Sequence, residues 1–259
     1  MTARLTGRTV LVTGAGRGIG AALARGMAQE GAALVVTDRD EPEAAAVAGS
    51  IRDSGGRAVH ARVDVTDRAE VRAAIALAAA EFGRLDAYFN NAGFNEPEKF
   101  LDITEPVWDR IFRVNAFGVV VGSQEAARQF LRQGTGGKIV NTASIAGRQG
   151  FASFAPYCAS KAAVISLTQA AARALAGHRI TVNAFSPGVV RTPLWDKLDR
   201  DLERIGEGDS GFDALAGDIL LGRPAEPEDL VPTAVFLAGP DSDYITGQVI
   251  PIEGGMVLV

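Results

Sequence analysis

The chain has a single cysteine, Cys158, and only two histidines, His60 and His178. One thiol excludes an internal disulfide, and three such residues cannot build a Cys/His metal cluster. No D-x-D-x-D spacing offers a hard cation a ring of carboxylates, so no metal is expected. Positive charge is not in excess. With 26 Lys and Arg against 31 Asp and Glu the net charge is −5, which excludes the basic footprint of a nucleic-acid binder. No apolar run reaches the length of a membrane span, and no signal-peptide core precedes the first strand pattern. Internal repeats, low-complexity stretches and long linkers are missing too. These absences predict one cytoplasmic domain over residues 1–259, with a small molecule and no membrane or nucleic acid as its partner.

What is present is a 259-residue chain, 47% hydrophobic, with ample core for one large domain. Strands are predicted at Thr9–Thr13, Ala33–Thr37, Arg57–Val63, Ala87–Asn90, Lys138–Thr142, Thr181–Phe185 and Gln248–Ile252. Between them lie helical patterns at Gly20–Glu30, Pro42–Ser54, Asp67–Phe82, about Pro106–Gln133, about Ala155–Ala176 and Pro227–Leu237. Strands that are continuously apolar suit a parallel sheet covered on both faces. Strand–helix alternation implies right-handed crossovers and a doubly wound α/β Rossmann fold, here with a seven-stranded parallel sheet. The segment at about 193–222 breaks the rhythm and is expected to form a lid over the site.

The first strand runs into Thr13-Gly14-Ala15-Gly16-Arg17-Gly18-Ile19-Gly20, and a helix starts there. Gly14 can take a positive φ for the turn, Gly18 lets backbone N–H groups approach a pyrophosphate, and Gly20 allows close helix–strand packing. The spacing is T-G-x-x-x-G-x-G, longer than G-x-G-x-x-G. Asp38, twenty residues past Gly18, ends the second strand. A carboxylate there accepts from ribose hydroxyls and repels a 2′-phosphate, which favours NAD; Arg17 and Arg39 could instead pair with that phosphate and favour NADP. Asp64 and Val65, after the third strand, are expected beside the adenine, with a helix N-terminal charge as the alternative for Asp64.

Tyr157 and Lys161 stand at i and i+4 and project from one helix face. An ammonium beside a phenol stabilises the phenolate and is expected to lower its pKa. Tyr157-x-x-x-Lys161 with Ser144 thirteen residues upstream, the T-G-x-x-x-G-x-G loop and Asn90-Asn91-Ala92-Gly93 together resemble the short-chain dehydrogenase/reductase family, in order and spacing, from Gly7 to Gly255. Asn115 and Pro187-Gly188 fall where that pattern expects them. The end of the chain, with Gly254-Gly255-Met256, and the stretch Pro187–Asp196 are similar to acetoin reductases and 2,3-butanediol dehydrogenases, with sugar-alcohol dehydrogenases nearly as close.

The resemblance implies that Tyr157 is the general acid in ketone reduction and the general base in alcohol oxidation. Lys161 would lower its pKa and hydrogen-bond the nicotinamide ribose, with the positive nicotinamide ring as a second cation. Ser144 would orient the substrate oxygen. Asn115, inside the long helix, would hold a water that relays protons to Lys161. Asn91, Ala92 and Gly93 would lie along the adenosine half of the cofactor, and Ile19 near the loop. Pro187 and Gly188 would shape the nicotinamide side, with Val190 on the carboxamide and Thr192 on the carboxamide or a phosphate. It also implies a homotetramer.

Substrate is expected between Ser144, Tyr157 and the lid, against Ile145, Phe151 and Trp195, with Phe94, Phe154 and Leu194 as further apolar wall. Gln149, Asn95, Ser153 and Glu96 are the polar candidates. So few hydrogen-bond partners favour a small or moderately apolar ketone or vicinal dicarbonyl over a long sugar alcohol. Cys158 points about 100° away from Tyr157 and is read as packing. The apolar tail 256–259 is expected at a subunit contact. Rival readings are an NADPH-dependent 3-oxoacyl-carrier-protein reductase, a dinucleotide-binding regulator without catalysis, and an extended-family epimerase or dehydratase, for which the chain leaves no room.

Overall fold

The computed structural model describes residues 3–258. Seven parallel strands form one sheet in the order β3-β2-β1-β4-β5-β6-β7. They are β1 (Thr9–Thr13), β2 (Ala33–Asp38), β3 (Arg57–Arg62), β4 (Ala87–Asn90), β5 (Gly137–Thr142), β6 (Ile180–Pro187) and β7 (Val249–Ile252). Every expected strand is present, most with an end moved by one or two residues. Successive strand residues face opposite sides, so both sides must be apolar. Val10 and Val12 pack with Leu34, Val36 and Phe89 on one face, while Leu11 packs with Val35, Tyr88 and Ile139 on the other.

Helices cover each face. The first layer holds α1 (Gly18–Gln29), α2 (Glu41–Asp53) and α9 (Val231–Ala238), which bury Leu23, Met27, Val47 and Val235. The second holds α3 (Arg68–Phe82), α5 (Gly118–Gln133) and α6 (Ala155–Leu175), which bury Ile75, Val121, Phe130 and Ala172. Local signals fix their ends: Asp67 caps α3 by accepting from Ala69 and Glu70 N–H groups, and Gly83 closes it in the left-handed conformation.

Two elements differ from expectation. The long helix across Pro106–Gln133 is three pieces: α4 (Glu105–Phe112), a π-helical turn (Arg113–Phe117) and α5. Periodicity reads straight through such a turn, because one extra residue shifts the apolar face without ending the helix. The residues after β6 form α7 (Pro193–Arg204) and a short α8 (Phe212–Ala216), tied by Trp195 packing edge-on to Phe212 and by Phe212 N–H donating to Asp199. Among the described residues no helix is long and apolar enough to cross a membrane.

Candidate active site

Strand order reverses between β1 and β4, so the loops leaving their C-terminal ends diverge and open a crevice. The turn after β1 fits tightly into its back. Gly14 has φ 61°, and a Cβ there would lie 2.8 Å from Ala92 Cα. A Cβ on Gly20 would collide with the Gly14 carbonyl. Larger residues at either place would push the loop outward. Arg17 begins α1 with no side-chain cap and no acidic residue in the first turn. The first N–H groups of α1 therefore carry partial positive charge without a side-chain acceptor, which suits an anion.

Asp38 ends β2 beside this turn. Its carboxylate accepts from Gly16 N–H at 3.0 Å and from Asp40 N–H at 3.1 Å, which fixes its direction. Arg17 leans toward Glu43, at 3.8 Å. Arg39 is exposed. Asp64 turns back on Thr66, accepting from its N–H and its hydroxyl at 2.9 and 2.8 Å. Burial pushes that carboxyl up, but the Thr66 bonds with Arg39 and Arg62 outweigh it and hold it below its usual value. Val65 is buried against Gly118. Asn91 clamps the two strands on either side of the crevice: its amide donates to Thr13 O and Gly14 O at 3.0 and 3.1 Å.

The reacting groups come from β5 and α6. Ser144 follows β5 and accepts from Ala146 N–H at 3.1 Å, capping a short turn at Ile145–Gly147. Since the oxygen accepts there, its O–H hydrogen remains to donate, to Tyr157 or to a group in the cavity. Tyr157 and Lys161 share a face of α6, with Lys161 Nζ 5.6 Å from the Tyr157 ring centroid. Lys161 is buried and donates to Thr142 O at 2.8 Å.

The expected lowering of the Tyr157 phenol is not a property of the protein alone. Burial pushes the phenol up to about 12, against a partial lowering by hydrogen bonding with Ser144. Burial likewise brings Lys161 down to about 8. Lys161 therefore loses its proton before the phenol does, and a neutral amine gives the phenolate no charge to lean on.

Asn115 lies in the π-turn and is buried, but its amide is committed elsewhere. Its Oδ1 accepts from Phe94 N–H at 3.0 Å, and its Nδ2 donates to Phe94 O at 2.9 Å and to Ser160 Oγ at 3.1 Å. The side chain thus pins the loop after β4 to α6, with both amide hydrogens donated to protein groups.

A cavity of about 120 Å³, open to solvent, joins these parts. Ser144 and Tyr157 line it with Pro187, Gly188, Val190 and Thr192, and with Ile19 at the edge of the glycine turn. Ile145, Phe151, Phe154, Leu194 and Trp195 form an apolar wall, joined by Leu198 and Leu215 of the α7–α8 segment. Asn95 is the one expected polar candidate on the wall. Phe94, Gln149, Ser153 and Glu96 are elsewhere; Glu96 faces Arg110 at 3.0 Å. Met256 also lines the cavity, Leu258 is exposed, and Val259 lies outside the described residues. Cys158 packs with Ala146, Phe154 and Leu202 behind the wall.

Several supporting residues escape sequence reasoning. Thr13 donates to Phe89 O and accepts from Asn91 and Ala92 N–H groups. Asn141 accepts from Asn90 at 2.9 Å and donates to Thr168 at 2.9 Å, a buried polar chain joining β4, β5 and α6. A polar residue at the end of an otherwise apolar strand was the available signal.

A sequence model of the family described as "Enoyl-(Acyl carrier protein) reductase" matches residues 14–257. A diacetyl reductase [(S)-acetoin forming] of Staphylococcus epidermidis is 39% identical over 254 residues, covering 96% of this chain and 98% of that protein. An L-2,3-butanediol dehydrogenase of Corynebacterium glutamicum is 40% identical, with the same coverage of both chains. A sorbitol dehydrogenase of Cereibacter sphaeroides is 40% identical over 97% of this chain and 98% of its own. Among solved structures, a short-chain type dehydrogenase/reductase from Mycobacterium marinum superposes with a TM-score of 0.90 at 36% identity, over 100% of this chain and 98% of that one. The chain belongs to the short-chain dehydrogenase/reductase family. It is an oxidoreductase of the kind that interconverts CH–OH and carbonyl groups.

Proposed function

We propose that the protein interconverts a secondary alcohol and a ketone by hydride transfer with NAD(H), Tyr157 exchanging the proton. The carrying observation is the convergence of the Ser144 hydroxyl and the Tyr157 phenol on one cavity, with the Lys161 ammonium 5.6 Å from the phenol ring. A nicotinamide dinucleotide, when bound, supplies or accepts the hydride. The uncapped start of α1 and the glycine turn fit its pyrophosphate, Asp38 its adenosine ribose, and Pro187–Thr192 the end that reaches the cavity. Asn91, Ala92 and Gly93 line the strand-end side of that path.

In the reducing direction Ser144 donates to the carbonyl oxygen and Tyr157 gives it a proton as charge develops there. In the oxidising direction the phenolate takes the hydroxyl proton, and Lys161, while charged, holds the phenolate. Asn115 acts as a positioning residue through Phe94 and Ser160. Asp38 favours NAD, and the approach of Arg17 to Glu43 draws one candidate phosphate partner away. The α7–α8 segment is read as a lid, since Leu194, Trp195, Leu198 and Leu215 cover the cavity. That wall suits a small hydroxyketone or diol.

The test is turnover of acetoin, diacetyl, 2-butanone and sorbitol with NADH or NAD⁺ and with NADPH or NADP⁺, using Tyr157→Phe as the blank. Activity on the small ketones that drops by at least ~10²-fold in the variant is expected, given the usual worth of a general acid. Full activity of Tyr157→Phe would sink the assignment.

A further inference from the structure

Of the polar side chains on the cavity wall, Ser144 and Tyr157 face the reacting oxygen, Thr192 belongs to the cofactor end, and Thr142 donates to Asn91 Oδ1. That leaves Asn95. Its side chain is only 3% exposed, it lines the cavity, and its Oδ1 has no hydrogen-bond partner. The loop that carries it is fixed on both sides. Phe94 is held by the Asn115 amide through its N–H and its carbonyl, and Glu98 N–H donates to Ser153 O at 3.0 Å. These bonds hold the backbone on either side of Asn95. A buried amide without a protein partner is unfavourable unless water or a ligand brings it one. The surrounding wall, Ile145, Phe151, Leu194, Trp195 and Met256, offers none.

We propose that Asn95 is the second anchor of the substrate and a specificity-determining residue. Its amide takes the oxygen on the carbon next to the reacting one, so the site selects vicinal hydroxyketones and diols over simple ketones. This rests on the alcohol–ketone reading above and deepens it. An amide carries both an acceptor and two donors, so one side chain can meet a hydroxyl in the diol or hydroxyketone and a carbonyl in the diketone. The reacting oxygen stays with Ser144 and Tyr157, and the second oxygen is bound where the wall is otherwise apolar. A polar contact of this kind gives discrimination of about tenfold to a hundredfold against a substrate that lacks the group.

Asn95→Leu keeps the volume and removes the amide. Its kcat/KM for acetoin is expected to fall about tenfold to a hundredfold while that for 2-butanone, of equal chain length, stays within about threefold of wild type. Its thermal midpoint is expected to hold or rise, because an unpaired buried amide is removed. An equal fall on both ketones would mean a merely structural residue, and no fall on acetoin would mean no contact; either overturns the inference. Asn95→Asp provides the second variant if Asn95→Leu does not fold. Its carboxylate accepts but does not donate, so acetoin turnover is retained and diacetyl turnover is lost; the reverse order overturns the inference. Wild-type protein inert toward every ketone would overturn the alcohol–ketone reading itself, before any substitution is made.

Discussion

Lys161→Met tests the electrostatics of the site, because the structure sets both the size of its effect and its pH dependence. Burial raises the phenol to about 12 and lowers the amine to about 8. A charged ammonium 5.6 Å from the ring stabilises the phenolate by about 3 kcal/mol at an effective dielectric of roughly 20. That is about a hundredfold in phenolate population. Below about pH 8 Lys161 is charged and the full factor applies. Above it the amine is increasingly neutral, while the phenol of the variant gains about tenfold in ionisation per pH unit.

The variant should therefore be slower in alcohol oxidation by about a hundredfold near pH 7. The deficit should shrink to about tenfold near pH 9 and close near pH 10. The assay is kcat/KM for 2,3-butanediol across that range at saturating NAD⁺, followed by the absorbance of reduced nicotinamide. Circular dichroism would confirm that the variant is folded. A deficit that does not change with pH would refute the reasoning, since it would mean that Lys161 acts by holding the cofactor rather than by charge. So would a variant within about threefold of wild type near pH 7.

Two other predictions concern the cofactor and the frame. Asp38→Ser removes the carboxylate that Gly16 and Asp40 hold in place; the ratio of NADH to NADPH efficiency should fall by about tenfold or more, in line with a charge-assisted bond to ribose. An unchanged ratio would remove the basis for preferring NAD. Glu125 is buried in α5 and bonded by Arg68, Arg72 and Arg128. Burial pushes its carboxyl up, but the bonds and charges of the three arginines outweigh this and hold it below 4.5. Its contribution is thus fully present above pH 4.5 and lost as pH falls through the lowered value. Glu125→Gln should lower stability at neutral pH by about 1–3 kcal/mol and flatten the acid limb of the thermal melt, with activity retained. An acid limb identical to wild type would count against this.

Much of the frame is written locally in the chain. β1 and β2 are continuous apolar runs whose alternate residues meet different helix layers, and Asp67 and Gly83 mark the ends of α3 by rules that need no tertiary information. The order of Ser144, Tyr157 and Lys161 was readable for the same reason, since i and i+4 on a helix share a face wherever the helix lies. What could not be read depends on neighbours distant in sequence. Asn115 lies 21 residues from Phe94 and 45 from Ser160, and nothing near it forecasts that its amide joins the two.

The phenol and the amine show the same division at the level of charge. Adjacency on one helix face follows from spacing, and it suggested a phenol lowered by its neighbour. Burial does not follow from spacing. It is set by β5, whose Thr142 carbonyl takes the Lys161 proton donor, and by the wall that encloses Tyr157. Burial acts on both groups in the direction that disfavours charge, so it reverses the order in which a lone pair of residues would be expected to cooperate. A site built this way favours both groups neutral between about pH 8 and 12, and gains a phenolate far more readily where positive charge is present beside it. That makes the proton step conditional on what fills the cavity, a consequence of depth rather than of the Tyr-x-x-x-Lys spacing itself.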